Sequence, residues 1–164
     1  MPMKLESVIF DMDGLLVDSE RLYLQAFNEV ADAYGLTDAY EFFLSTKVKC
    51  AVATSSSAEN AYRKLRSNDI LNYFMTVTCG DEVENSKPHP EIYIKSAKSI
   101  NANPSCSIAL EDSENGVRSA VAAGFHVIQV PDLLPPSAEL LILGHDVCNN
   151  LFDAKIRIES LVQE

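Results

Sequence analysis

The chain has 164 residues, 47% of them hydrophobic, which is enough for one domain with a sizeable core. Its 24 acidic residues outnumber 13 basic ones, and the net charge of −11 argues against nucleic acid or an anionic membrane as partner, because both are polyanions. No apolar run is long enough to span a bilayer, and we expect no signal peptide. The four cysteines form no CxxC pair, so we expect reduced thiols and a cytoplasmic location.

The first predicted element is a short buried strand, Val8 to Phe10, which ends at Asp11, Met12, Asp13 and Gly14. Residues two apart on a strand point the same way, so Asp11 and Asp13 can face one site. Two such charges repel each other unless a cation lies between them. Taken alone, the pattern fits a strand that ends in a polar turn equally well.

The next segment predicts a helix over residues 19–35, because apolar residues recur there at three- and four-residue steps. Asp18 or Ser19 can cap its start, and Gly35 can end it. A short helix is predicted from Ala39 to Leu44.

Strands and helices alternate through the rest of the chain. Strands are predicted at residues 48–53, 74–79, 107–110 and 127–130, and helices at 58–67, 90–100 and 114–123. The helix at 58–67 should carry its Lys and Arg residues on an outer face. The tail, 138–163, predicts a short strand around Val147 among amphipathic helical turns. This alternation predicts an α/β fold, a three-layer sandwich around a mostly parallel sheet.

Polar side chains follow four of the predicted strands. They are Asp11 and Asp13, Thr54 and Ser55, Lys87, and Glu111 and Asp112. Each cluster alone has a plain explanation: hydroxyls cap helices, an isolated lysine is usually solvated, and acidic residues favour helix starts. The carboxyl ends of parallel strands, however, share one edge of the sheet, where such folds bind ligands. Four clusters at one edge therefore favour a functional site.

The charges at that edge predict a cation and a phosphate. Up to four carboxylates would lie close together, which requires bound divalent metal or protonation. Oxygen ligands without nearby His or Cys favour Mg²⁺. Lys87, a hydroxyl and backbone amides would hold a phosphoryl group. One carboxylate could attack phosphorus while another handles the proton of the leaving group.

Four ordered motifs resemble the haloacid dehalogenase-like superfamily, in its branch of β-phosphoglucomutase-like and sugar-phosphate phosphatases. They are Asp11-Met-Asp13-Gly14-x-x-x-Asp18, Thr54-Ser55, Lys87-Pro88-x-Pro90 and Glu111-Asp112-Ser113-x-x-Gly116. The resemblance extends from Val8 to about Leu151.

The resemblance implies a role for each motif residue. Asp11 would be the nucleophile that forms an aspartyl-phosphate, and Asp13 the general acid and then the base. Thr54, Ser55 and Lys87 would bind the phosphate. Mg²⁺ would be bound by Asp11, by Asp13 through its backbone carbonyl, and by Asp112, with Glu111 in support. Asp13 also excludes the dehalogenation that names the superfamily, because a halide leaves without a proton.

The branch normally carries a helical cap between its first and second motifs, yet only 40 residues separate Asp13 from Thr54. The resemblance therefore implies a single core domain, 1–164, with the cap reduced to about one helix, 19–36. The apolar stripe on helix 19–35 would pack on the core or pair with a second copy of the chain.

We expect a Mg²⁺-dependent phosphomonoester hydrolase that acts on a small phosphorylated metabolite such as a sugar phosphate. Two alternatives remain open at this point. One is a sugar phosphomutase of the β-phosphoglucomutase type. The other is a cap-deleted, non-catalytic protein that binds phosphate and Mg²⁺.

Overall fold

The computed structural model describes residues 3–16, 48–132 and 134–163. The strands are β1 (Ser7–Phe10), β2 (Lys49–Ala53), β3 (Thr76–Thr78), β4 (Ser107–Glu111), β5 (His126–Gln129) and β6 (Asp146–Val147). The α-helices of the described residues are α1 (Ala58–Ser67), α2 (Glu91–Ser99), α3 (Glu114–Ala122), α4 (Ala138–Leu141) and α5 (Leu151–Gln163). Asp18, the predicted helices at 19–35 and 39–44, and the proposed cap remnant 19–36 lie outside these residues.

The six strands form one parallel sheet in the order β3-β2-β1-β4-β5-β6, which confirms the predicted α/β class. The same four residues of β1 pair with β2 on one side and with β4 on the other. The strand order reverses at β1, and open sheets of this kind bind ligands at the carboxyl ends of the strands beside such a reversal. The fold thus directs attention to the end of β1.

Helices cover both faces of the sheet, as a three-layer sandwich requires. Alternate residues of β1 point to opposite faces, so Ile9 packs with α2 and α3, whereas Val8 packs on the side of α5. The core residues that these helices contribute are Ile92, Tyr93 and Ala97 from α2, Val117 and Ala120 from α3, and Ala154 and Ile158 from α5. On the α5 side, α1 adds Ala61 and Leu65 against Val52 and Val77.

The element boundaries differ from the prediction chiefly at the third strand. It was predicted over 74–79, but β3 covers only Thr76–Thr78 because 3-10 turns at Leu71–Tyr73 and Gly80–Glu82 flank it. In the tail, α4, β6 and α5 confirm the predicted mixture. All four cysteines lie in the described residues as unbridged thiols. Within the described part of the chain, no helix has the length and apolarity that crossing a membrane requires.

Candidate active site

Asp11 is the first residue after β1 and lies at the centre of the polar edge. Its backbone N–H donates to the carbonyl of Leu110 at 2.9 Å, which extends the β1–β4 ladder by one residue. The residue is only 6% exposed, and its Oδ1 accepts a hydrogen bond from Lys87 Nζ at 2.6 Å. A buried carboxylate is therefore fixed at the point where the strand order reverses.

Lys87 joins the ends of three strands. Its ammonium group donates to Asp11 Oδ1 and Glu111 Oε1, both at 2.6 Å, and to the carbonyl of Ala53 at 3.0 Å. An ammonium group has three N–H donors, so all of them are used. The Nζ also lies 5.0 Å from the centre of the Tyr93 ring. Lys87 is thus a buried cation rather than a solvated surface lysine.

Glu111, the last residue of β4, is fully buried and held from both sides. Its Oε1 also accepts from the Tyr93 hydroxyl at 2.6 Å, and its Oε2 accepts from Ser113 Oγ at 3.3 Å. A Cβ atom on Gly116 would lie 1.9 Å from this carboxylate, so only glycine leaves room for it there. The glycine of the fourth motif therefore makes space for Glu111.

Three carboxylates form the acidic cluster, namely Asp11, Glu111 and the half-buried Asp112. One oxygen from each lies within 4.8 Å of the others. Gly14 adopts a φ of +85°, and a Cβ there would lie 2.1 Å from Asp112 Oδ2. Three convergent oxygens at this spacing fit a hard divalent cation such as Mg²⁺. The carboxylate of Asp13 does not belong to this cluster.

The cluster has more negative charge than Lys87 can balance. Burial, and then the charge of Glu111, raises the pKa of Asp11 well above its usual range despite the opposing effect of Lys87. Burial and Glu111 likewise raise the pKa of Asp112 to about 6. Burial alone would lower the pKa of Lys87, but the two carboxylates that face it raise the value. A second cation would stabilise the ionised cluster.

Asp13 lies beside α1 with a different set of partners. Its Oδ1 accepts from Lys64 Nζ at 2.5 Å, and its Oδ2 accepts from Ser56 Oγ at 2.7 Å and Thr54 Oγ1 at 3.1 Å. Burial would raise the pKa of Asp13, but these three donors lower it below the usual value. About a third of the side chain is exposed. Asp13 is thus a compensated carboxylate at the rim of the site.

The structure brings most of the predicted residues together. Asp11, Lys87, Glu111 and Asp112 form one cluster, and Thr54 contacts Asp13 beside it. Ser55 is exposed, and the hydroxyl that reaches Asp13 belongs to its neighbour Ser56.

Sequence reasoning missed three contacts, those of Lys64, Ser56 and Tyr93. The prediction that the basic residues of α1 all lie on an outer face is wrong for Lys64, which reaches Asp13. Lys64 is three residues after the buried Ala61, and that spacing could have placed it beside the buried face. A tyrosine on the buried face of α2 needs a hydroxyl partner, which could have pointed to Glu111.

Comparison with known proteins identifies one family of hydrolases and related phosphatases. The family described as "Haloacid dehalogenase-like hydrolase" matches residues 8–46 and 41–130. The "Phosphorylated carbohydrates phosphatase" of Thermotoga maritima is 30% identical over 181 residues, covering 76% of this chain and 84% of the relative. Because the alignment is longer than the chain itself, the relative has residues within the aligned region that this chain lacks.

Solved structures show the same fold. A "putative beta-phosphoglucomutase" from Thermotoga maritima superposes with a TM-score of 0.71 at 27% identity, and 97% of each chain is covered. A beta-phosphoglucomutase from Clostridium difficile superposes with a TM-score of 0.70 over 98% of this chain and all of its own length. The second, at 17% identity, supports the fold alone.

Proposed function

The chain belongs to the haloacid dehalogenase-like hydrolases and is an enzyme of the phosphatase type, and we propose that it is a Mg²⁺-dependent hydrolase of small phosphomonoesters. One observation carries the proposal: Asp11 is a buried carboxylate beside a buried lysine and two further carboxylates, at the strand reversal. Such a site offers a nucleophile, a cation for phosphoryl oxygens and oxygen ligands for a metal.

The metal would be held by Asp11, Asp112 and the backbone carbonyl of Asp13, with Glu111 in support. The oxygen-only cluster and the raised pKa values of Asp11 and Asp112 both fit this assignment. When bound, Mg²⁺ supplies positive charge that offsets the carboxylates and the phosphoryl oxygens.

Asp11 is the nucleophile in the proposed first step. Its carboxylate oxygen bonds to phosphorus as the bond from phosphorus to the ester oxygen breaks, which leaves an aspartyl-phosphate and an alkoxide. Its lowered pKa leaves Asp13 ionised in the free protein, so Asp13 takes up a proton as the negatively charged substrate binds beside it. Asp13 then donates that proton to the alkoxide, and an alcohol departs. The positive charge of Lys87, which lies against Asp11, stabilises the negative phosphoryl oxygens in this step. The Thr54 hydroxyl, which donates to Asp13 in the structure, would turn to a phosphoryl oxygen once Asp13 is protonated.

The second step reverses the role of Asp13. Its carboxylate takes a proton from water as the water oxygen bonds to phosphorus, and the bond between phosphorus and Asp11 breaks. Inorganic phosphate leaves, and Asp11 returns to its starting form. Lys64, Ser56 and Thr54 support this role because their hydrogen bonds fix Asp13 at the rim of the site.

Sugar phosphates are the substrate class we favour. The carbohydrate phosphatase of Thermotoga maritima supports this choice through its name and its 30% identity. The relative has residues within the aligned region that this chain lacks, as a shortened cap would require. A short cap leaves the site open to water, which favours hydrolysis over transfer to a second sugar hydroxyl.

The test compares Asp11→Asn with the matched variant Asp69→Asn, which removes an exposed carboxylate outside the site. With Mg²⁺ and a panel of small sugar phosphates, we expect free phosphate from the wild-type protein and from Asp69→Asn, but none from Asp11→Asn. A trapped phosphoryl group on Asp11, detected by mass spectrometry after rapid acid quenching, would support the intermediate. An Asp11→Asn variant as fast as wild type would contradict the mechanism.

A mutase is the second candidate, favoured by the similarity to the "putative beta-phosphoglucomutase" of Thermotoga maritima. The same residues would form the phospho-enzyme, and a sugar hydroxyl would replace water as the acceptor. Phosphorus NMR of the reaction separates the two activities: interconverted sugar phosphates indicate a mutase, and accumulating inorganic phosphate indicates a hydrolase.

A further inference from the structure

The backbone carbonyl of Asp112 lies one residue beyond the β4–β5 ladder. The ladder pairs Glu111 with Gln129, and the carbonyl of Glu111 accepts from the N–H of Val130 at 2.7 Å. The next carbonyl, that of Asp112, accepts from the side-chain Nε2 of Gln129 at 3.1 Å. A side-chain amide therefore continues the ladder into the acidic cluster.

The direction of the Gln129 amide is set by chemistry. A carbonyl oxygen can only accept, so the NH₂ group of Gln129 must face Asp112, and its Oε1 must face away. That oxygen lies 2.8 Å from His145 Nε2. Because Oε1 is also only an acceptor, His145 Nε2 must carry a proton. Gln129 is 1% exposed, so bulk water does not replace either partner.

The second ring nitrogen of His145 agrees with this assignment. His145 Nδ1 is buried and has no hydrogen-bond partner among the residues that the structure describes. In the neutral ring with Nε2 protonated, Nδ1 is a bare acceptor; in the charged ring it would be an unpaired buried donor. Burial lowers the pKa of His145 even though the adjacent Asp146 opposes the shift. The neutral ring, with one defined tautomer, is therefore favoured.

We propose that His145 and Gln129 are positioning residues that hold the backbone of Asp112 and so direct its carboxylate to Asp11 and Glu111. The hydrogen bonds run in one direction, from His145 Nε2–H to Gln129 Oε1 and from Gln129 Nε2–H to the Asp112 carbonyl. The inference rests on the proposed function only in taking the cluster as the site of a divalent cation.

Asp112 needs such an anchor because its neighbours repel it. One of its oxygens lies within 4.8 Å of oxygens from two other carboxylates. Gly14 closes one side of the Asp112 carboxylate, and Gln129 fixes the backbone from the other strand. Partners that orient a metal ligand in this way typically contribute 10- to 100-fold in metal affinity or activity.

The test measures metal binding and ring chemistry apart from turnover. Nitrogen NMR of the wild-type protein should show His145 as the neutral tautomer with the proton on Nε2. In calorimetric titrations with Mg²⁺ alone, Gln129→Leu should weaken binding about tenfold. His145→Leu should weaken it less, since the bond from Gln129 to Asp112 remains. His145→Gln should restore binding, since its amide can donate to Gln129 Oε1.

His126→Gln is the matched control, because His126 lies at the other end of β5, where it contacts Asp146 and not the site. It should leave Mg²⁺ binding unchanged. Binding by Gln129→Leu and His145→Leu within twofold of wild type, or a proton on His145 Nδ1, would overturn the proposal. If Gln129→Leu does not fold, the His145 tautomer and the Mg²⁺ affinities of His145→Leu and His145→Gln test the proposal instead. If Mg²⁺ affinity falls as expected but neither the wild-type protein nor any variant hydrolyses a sugar phosphate, the proposed function is contradicted and the positioning role is not.

Discussion

Asp11 and Asp13 each form an ion pair with a lysine, yet their surroundings shift the pKa of the two carboxyl groups in opposite directions. The distance from Asp11 to Lys87 is 2.6 Å and that from Asp13 to Lys64 is 2.5 Å. The Asp11 pair is nearly buried and shares its lysine with Glu111, so burial and Glu111 raise the pKa of Asp11. The Asp13 pair is about a third exposed and has two extra hydroxyl donors, so the pKa of Asp13 falls. Burial and neighbouring charge, rather than the distance between carboxylate and lysine, therefore decide whether the pKa of the aspartate rises or falls.

The largest expected effect comes from removing the buried lysine. Lys87→Met leaves Asp11 and Glu111 buried without their common cation, which should lower the free energy of unfolding by about 3 kcal/mol in EDTA. Phosphatase activity should fall by roughly 100-fold or more, because the positive charge that would stabilise the phosphoryl oxygens is lost. Urea unfolding with and without Mg²⁺ measures the first effect, and the loss should be smaller with Mg²⁺. Equal stability of variant and wild type in EDTA would contradict the assignment of Lys87 as the balancing charge.

The next effect tests how closely Glu111 is packed. Alanine in place of glycine within a helix normally stabilises it by up to about 1 kcal/mol. Gly116→Ala should instead destabilise by about 1–3 kcal/mol, because its Cβ collides with the Glu111 carboxylate. Thermal unfolding of Gly116→Ala is compared with that of Asn115→Ala, since Asn115 is an exposed residue in the same turn of α3. A stabilising Gly116→Ala would show that Glu111 can move away.

Removing the rim lysine should affect chemistry more than stability. Lys64→Met should change the free energy of unfolding by less than about 1 kcal/mol, because the pair is partly exposed. The kcat for a sugar phosphate should fall on the order of tenfold, because Asp13 loses a donor that orients it. The kcat for p-nitrophenyl phosphate should fall less, since nitrophenolate leaves without a proton. Equal losses on the two substrates would argue against a role through Asp13.

The smallest effect belongs to Asp146, which lies next to His145 but outside the acidic cluster and serves as a reference carboxylate. Asp146 accepts from Arg157 Nε at 2.9 Å and contacts His126 Nε2 at 2.8 Å. Burial would raise the pKa of Asp146, but these partners lower it. A lowered pKa means that the ionised form stabilises the fold above the unfolded-state value, about 3.9, and that this stabilisation is lost as pH falls through the folded value.

Asp146→Asn should therefore lower the free energy of unfolding by up to about 1 kcal/mol at pH 7, and the difference from wild type should shrink below about pH 4. Urea unfolding of both proteins from pH 3 to pH 7 measures this difference. A constant difference over that range would mean that the charge of Asp146 is not what stabilises the tail.

The described strands and helices, the parallel sheet and the buried acidic cluster could all be predicted from the sequence. Apolar runs indicated the strands. The carboxyl ends of parallel strands share one edge of a sheet, which predicts that Asp11, Lys87, Glu111 and Asp112 lie together. The choice of Ser56 over Ser55 as a partner of Asp13 could not be predicted, because three consecutive serines show no pattern that says which one faces the site. Gln129 did carry a signal that went unused: an amide within an apolar buried strand requires polar partners.

The central strand has a consequence for how this enzyme can be altered. Hydrogen bonds pair Ser7 to Phe10 with Lys49 to Val52, so the two strands hold their register whatever lies between them in sequence. Residues 17–47 lie between Leu16 and Val48, so exchanging them replaces no residue of β1 or β2. The junction is therefore a natural graft site. Exchanging segments there tests whether they alter substrate choice, because the acidic cluster is built on the sheet and none of its residues is replaced.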